Sequence, residues 1–197
     1  MTVILGVDPG LTRCGIGVIN KDAGRKLSVL HVSVATTNAS TELADRIGHL
    51  SRELETAIGS ELESAIELYK PDLIAIERVF AQANLRSVMG VAQISGVLLM
   101  LASRKNIPVV FHTPSEVKSA VTGNGRAEKA QVGNMVAKIL GLTDVPRPAD
   151  AADALAIAIT AAWKNFETPS AGQVLTPAQK AWAKAQGVAS QVKQRKK

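Results

Sequence analysis

Four carboxylates in this chain stand where chemistry is expected. Asp8 ends a short apolar run, Val3-Ile-Leu-Gly-Val-Asp8, and Pro9-Gly10 turns the chain away directly after it. Such a run reads as a strand buried on both faces. Asp8 is therefore held at the end of a rigid strand, where a charge costs energy unless it is paired or binds a cation. Leu73-Ile-Ala-Ile-Glu77 repeats the pattern, an apolar strand with an acid at its C-terminal end. Asp150 and Asp153, in Arg147-Pro-Ala-Asp150-Ala-Ala-Asp153-Ala-Leu-Ala-Ile157, open an apolar helix and project from one face of it. Each acid alone has a plainer reading: Asp8 as a turn cap, Glu77 as a solvated strand end, Asp150 as a complement to a helix dipole. The dipole explains one aspartate better than two aimed together. Two adjacent carboxylates repel, which raises one pKa unless a metal holds them. Four carboxylates without a Cys/His cluster select hard cations such as Mg²⁺ or Mn²⁺. Two such ions roughly 3.5–4 Å apart suit in-line phosphodiester cleavage, one activating water and the other stabilising the leaving oxygen. No residue in the set looks like a covalent nucleophile.

These side chains need elements to position them. Val3–Asp8, Gly15–Asn20 and Leu27–Thr36 read as three strands, the last two joined by a turn at Asp22-Ala-Gly24. Their closeness in sequence predicts an antiparallel meander. Thr41–Lys70 has helical periodicity, with Leu43, Ile47, Leu50, Leu54, Ile58, Leu62, Ala65, Ile66 and Tyr69 near one stripe and acids on the other face. Gly59 is expected to bend it. Pro71-Asp72 ends that helix and Leu73–Glu77 is a fourth strand, free to run parallel to the first and present Glu77 beside Asp8. A polar loop, Arg78 to Asn84, follows. Ser87–Ser103 is a helix apolar almost all round, so a second subunit is a good candidate to cover its outer face. Gly90, Ala92 and Gly96 would allow close approach. Ile107–Phe111 is a fifth strand, Thr113-Pro114 opens a helix through Val121, and Ala127–Leu140 is a helix closed by Gly141.

The 197 residues suffice for one well-buried domain plus an appendage. Hydrophobic residues make up 46% and aromatic residues only 3%, so aliphatic residues and alanine must build the core. Cys14 is the single cysteine and cannot form an intrachain disulfide, which fits a reducing compartment. Val91 to Ala102 is too short, and too interrupted by Gln93 and Ser95, to cross a membrane. With no basic leader at Met1, the expectation is a soluble cytoplasmic protein. The net charge of +6 is unevenly spread. Residues 42–72 carry eight acidic and three basic side chains, whereas residues 78–138 carry eight basic and two acidic. Residues 166–197 add six basic and one acidic. That asymmetry points to a polyanionic partner for the basic parts.

Leu5-Gly-Val-Asp8-Pro-Gly10, Ala75-Ile-Glu77-Arg-Val-Phe80 and Asp150-Ala-Ala-Asp153-Ala resemble the signature blocks of the RuvC family of bacterial Holliday-junction resolvases. The similarity runs from about residue 2 to 163, with every motif in order. It implies an RNase H-like α/β fold, a five-stranded mixed sheet of order 3-2-1-4-5 flanked by helices. Residues 1–165 would form the nuclease domain and 166–197 a basic, mostly flexible tail. The tail departs from the matched pattern: Thr176-Pro177 suggests one short helix, and its basic end either adds DNA affinity or is merely solvated. The resemblance implies that Asp8, Glu77, Asp150 and Asp153 form the metal-binding catalytic set, with two Mg²⁺ ions that Mn²⁺ can replace. It implies a homodimer that nicks two opposed strands of a four-way DNA junction, in cooperation with RuvA and RuvB. Phe80 matches the aromatic that wedges against bases at the junction centre, and Lys118 and Lys129 match lysines that contact DNA. Arg78 stands where some relatives carry Gln, and joins them as a candidate DNA contact. Two other classes share features with this chain. Asp8-Pro-Gly10-Leu-Thr12 resembles the first phosphate loop of sugar-kinase and chaperone ATPases, which need two such domains. A non-catalytic junction-binding protein would gain nothing from acids facing phosphates.

Overall fold

The computed structural model describes residues 1–59, 69–78 and 85–164. Strands β1 (Thr2–Asp8), β2 (Arg13–Lys21) and β3 (Leu27–Thr36) come first, followed by helix α1 (Leu43–Ile58). Then come β4 (Leu73–Glu77), α2 (Leu85–Arg104), β5 (Val109–His112), α3 (Pro114–Thr122), α4 (Lys129–Leu140) and α5 (Ala149–Trp163). The five strands form one mixed sheet of order β3-β2-β1-β4-β5. The meander is antiparallel, as the short connections predict, with Asp8 opposite Gly15 and Lys21 opposite Thr2. Asp22 makes the β2–β3 turn, its Oδ1 accepting from Lys26 N–H at 2.8 Å. Strand β4 joins β1 in parallel, with Val7 opposite Ile76. The next residues along these two strands are Asp8 and Glu77. Strand β5 extends the parallel half and sets His112 opposite Glu77.

Helices cover both faces. Leu50, Leu54 and Ile58 of α1 and Ile94, Leu98 and Leu101 of α2 pack on Leu5, Val7, Ile16, Val18, Ile74 and Ile76. On the other face the apolar run of α5 packs on Ile4, Ile19, Leu73 and Ala75, and Val117 and Val121 of α3 and Val132 and Val136 of α4 join the same cluster against α5. Strand residues alternate between the two clusters, which follows from the two-residue period of a strand. The apolar stripe read from the sequence is thus the buried face of α1. The helix stops at Ile58, however, and Gly59 ends it with φ 107° instead of bending it. An L side chain rarely adopts that conformation, so glycine is the natural stop here. The expected continuation over 60–68 lies outside the described residues.

Helix α5 has eleven buried residues, and alanine dominates them. Small residues bring it close to the sheet from both sides. A Cβ on Gly6 would meet the carbonyl of Ala154 and stand 2.6 Å from the Ala158 nitrogen. One on Gly15 would run into the carbonyl of Asp150. Bare glycine backbone on β1 and β2 therefore lets α5 lie across them and fixes where its first turn falls. The chain divides into two units, Met1–Asn165 and Phe166–Lys197, and the second lies outside the described residues. Among the described residues no helix is long and apolar enough to cross a membrane.

Candidate active site

Strand and helix geometry bring the four carboxylates to one edge of the sheet. Asp8 and Glu77 end neighbouring parallel strands, on the face that α5 covers. Asp150 lies in the first turn of α5, and Asp153 follows three residues on. The close seat of Asp150 on Gly15 holds that turn beside the end of β1.

The electrostatics report the same convergence. Burial pushes the Asp8 carboxyl up to about 7, and the charges of Glu77, Asp153 and Asp150 push the same way against the relief from Lys129. Glu77 is also raised, by burial and then by Asp153, while Lys129 and Lys118 draw it back. Asp8 and Glu77 thus both resist losing their protons, and a cation placed between them would relieve that cost. His112, the β5 neighbour of Glu77, adds no positive charge at neutral pH, because burial and the nearby Lys164 hold it down to about 4. Its Nε2 is buried without a hydrogen-bond partner.

Two cations reach into the cluster. Lys129 Nζ donates to Asp153 Oδ2 at 3.0 Å. Arg13, the first residue of β2, donates to Asp150 Oδ2 from Nε at 2.7 Å, and its Nη2 stands 2.6 Å from the same oxygen. Among the described residues no three Asp, Glu, His or Cys side chains are gathered tightly enough to grip one ion. The chemistry of the set still fits a hard divalent cation: all donors are carboxylate oxygens, and their mutual repulsion is what such an ion relieves. A cleft of about 630 Å³ adjoins the cluster, lined by Lys129, Ala130, Gly133, Val145, Pro146, Arg147, Pro148, Ala149, Ala152 and Asp153.

The remaining expected residues fall as follows. Lys118 lies in α3, half-buried, and its charge reaches Glu77. Lys129 starts α4 with an exposed side chain. Arg78 directly follows β4, and its backbone N–H donates to the His112 carbonyl at 2.7 Å. Phe80 lies outside the described residues. Arg13 and His112 escaped the sequence reading. The signal that finds both is strand register, Arg13 at the Asp8 end of β2 and His112 across from Glu77.

An RNase H-like sheet with carboxylates at the ends of its central parallel strands, and more on the helix across them, defines the class of this chain: a nuclease of the metal-dependent RNase H-like type. The family signature described as "Crossover junction endodeoxyribonuclease RuvC" matches residues 4–161, and the chain belongs to that family. The crossover junction endodeoxyribonuclease RuvC of Saccharopolyspora erythraea is 46% identical over 190 residues, covering 96% of this chain and 90% of the relative. The RuvC of Clavibacter michiganensis is 53% identical over 161 residues, covering 82% of this chain and 76% of the relative. Among solved structures, Thermus thermophilus RuvC in complex with a Holliday junction substrate superposes with a TM-score of 0.74 at 33% identity, covering 82% of this chain and 93% of that one. Family membership excludes the ATPase alternative.

Proposed function

We propose that this protein resolves Holliday junctions, hydrolysing phosphodiester bonds in two opposed strands of a four-way DNA junction with Mg²⁺ at a site formed by Asp8, Glu77, Asp150 and Asp153. The observation that carries the reading is the convergence of four carboxylates, Asp8 and Glu77 at the ends of β1 and β4 and Asp150 and Asp153 at the start of α5, close enough for the other three to raise the Asp8 carboxyl beyond what burial does. Such repulsion serves no purpose in a site that meets only DNA phosphates. A bound divalent cation supplies the charge that reconciles carboxylates with phosphate and polarises the bond to be cut. The chain's own residues do the rest. Asp8 and Glu77 hold fixed positions at the strand ends, so the ligand geometry does not depend on loop order. Lys118 and Lys129 flank the acids and neutralise neighbouring phosphates, which fixes the DNA in register without reading its sequence. Phe80, three residues beyond Glu77, opens stacked bases at the crossover, and Arg78 between them is a further DNA contact.

A junction with two-fold symmetry needs two coordinated cuts, so the reading includes a homodimer. Its interface is the outer face of α2, where Met89, Leu99 and Met100 are 59%, 40% and 44% exposed. Gly96 lies on that face with nothing within 4 Å of where a Cβ would stand. The basic segment 166–197 adds sequence-independent DNA affinity, and cooperation with RuvA and RuvB completes the assignment of partners.

The test is a labelled synthetic four-way junction incubated with the protein and either Mg²⁺ or EDTA. Paired nicks at symmetric positions are expected with Mg²⁺ and none with EDTA. Asp8→Asn, Glu77→Gln, Asp150→Asn and Asp153→Asn should each abolish nicking while junction binding persists, because removing negative charge does not weaken attraction to phosphates. Nicking by Glu77→Gln at the wild-type rate would take Glu77 out of the mechanism.

A further inference from the structure

Asp150 is gripped twice by the same strand. Gly15 of β2 receives its backbone carbonyl, in a space that a Cβ would fill. Arg13, two residues earlier and so on the same face of β2, takes its side chain. Nε and Nη2 of Arg13 both lie on Oδ2, at 2.7 and 2.6 Å. The guanidinium leaves the second oxygen, Oδ1, unused. Two nitrogens of one planar guanidinium converging on Oδ2 fix where that oxygen sits, and so limit where Oδ1 can go. The Arg13 side chain is 47% exposed, so water screens its charge and the geometric constraint is its main contribution.

We propose that Arg13 is a positioning residue for the metal site: it anchors Asp150 by Oδ2 and so presents Oδ1 to the cation. This rests on the reading of Asp150 as a metal ligand. Carboxylate ligands are ordinarily oriented by such an outer partner, whose loss lowers metal affinity or activity about 10–100-fold. Lys cannot replace Arg fully here, since an ammonium offers no planar pair of donors.

The experiment titrates Mn²⁺ into the full-length protein without DNA, by calorimetry and by the Mn²⁺ paramagnetic resonance signal, for wild type, Arg13→Gln, Arg13→Lys and Asp150→Asn. Junction cleavage is then measured as kcat and KM against Mn²⁺ concentration. Arg13→Gln should weaken Mn²⁺ binding about 10–100-fold. Arg13→Lys should fall between it and the wild type. At limiting Mn²⁺ the loss should appear in kcat with KM for the junction unchanged, and excess Mn²⁺ should restore kcat. Wild-type or tighter Mn²⁺ binding by Arg13→Gln, beside weakened binding by Asp150→Asn, overturns the role of Arg13 alone. Wild-type Mn²⁺ binding by Asp150→Asn overturns the ligand reading on which it stands. A rise in KM with unchanged Mn²⁺ affinity makes Arg13 a phosphate contact and also overturns the proposal. Arg13 is exposed, so its replacement opens no cavity, and thermal unfolding of each variant verifies the fold before titration.

Discussion

The Asp8 carboxyl has a consequence for stability. Its pKa is about 7 in the folded chain and near 3.8 when exposed. Between these values the unfolded state gives up the proton while the folded state keeps it. The unfolded state therefore binds fewer protons, and the contribution of Asp8 to stability falls as pH rises from about 4 to about 7. With metal chelated, Asp8→Asn should be more stable than wild type at pH 7.5, by up to a few kcal/mol, and the difference should vanish near pH 4. Calorimetric melting in EDTA across that range checks the sign. At this same scale the sequence was most legible: apolar runs ending on acids placed Asp8 and Glu77, and their spacing on one helix placed Asp150 and Asp153. Arg13 was not legible, because its bond to Asp150 spans 137 positions and depends on where α5 settles over Gly15. Phe80 carries a separate expectation from its place after Glu77. Phe80→Ala should slow cleavage of intact junctions, and slow it less when the central pairs are mismatched, since opening bases costs a few kcal/mol per step. Equal loss on both substrates would leave the wedge role without support.

At the scale of elements, periodicity found α2 but could not say which apolar face met the sheet, because both faces are apolar. The structure assigns Leu98 and Leu101 to the core, at 0% and 5% exposed, and Met89, Leu99 and Met100 to the outside. The two faces should therefore answer differently to one charge. Leu98→Glu buries a carboxylate without a partner and should unfold the domain or cost several kcal/mol. Met100→Glu should leave the melting temperature nearly unchanged while sedimentation shows monomers and paired nicking is lost. A wild-type chain that sediments as a monomer at high concentration and on a junction would remove the dimer from the reading. The five strands were predicted from run length, and the antiparallel meander and a parallel β4 beside β1 from connection length, and these hold in the sheet. The place of β5 and so the full strand order came from resemblance alone, since no periodicity states which edge β5 takes.

At the scale of the whole molecule, charge separation governs the encounter with DNA. The acidic side chains of 42–72 and the basic ones of 78–138 lie in different stretches, so the protein should approach its substrate oriented. Junction affinity should fall linearly on a log–log plot against salt, and Lys118→Ala or Lys129→Ala should each reduce that slope by about one. Helix α5 adds a different kind of consequence. It carries two of the four acids on its first two turns, and its body, Ala154 to Ala162, is sealed between the sheet and α3 and α4. Segments that secure a function often open locally, but this one has no solvent-facing side by which to fray. Its amide protons should exchange with deuterium only when the entire domain opens, with an exchange free energy equal to that of global unfolding. The edge that carries the acids would then have no private lifetime: it would persist as long as the fold does and vanish in the same cooperative event.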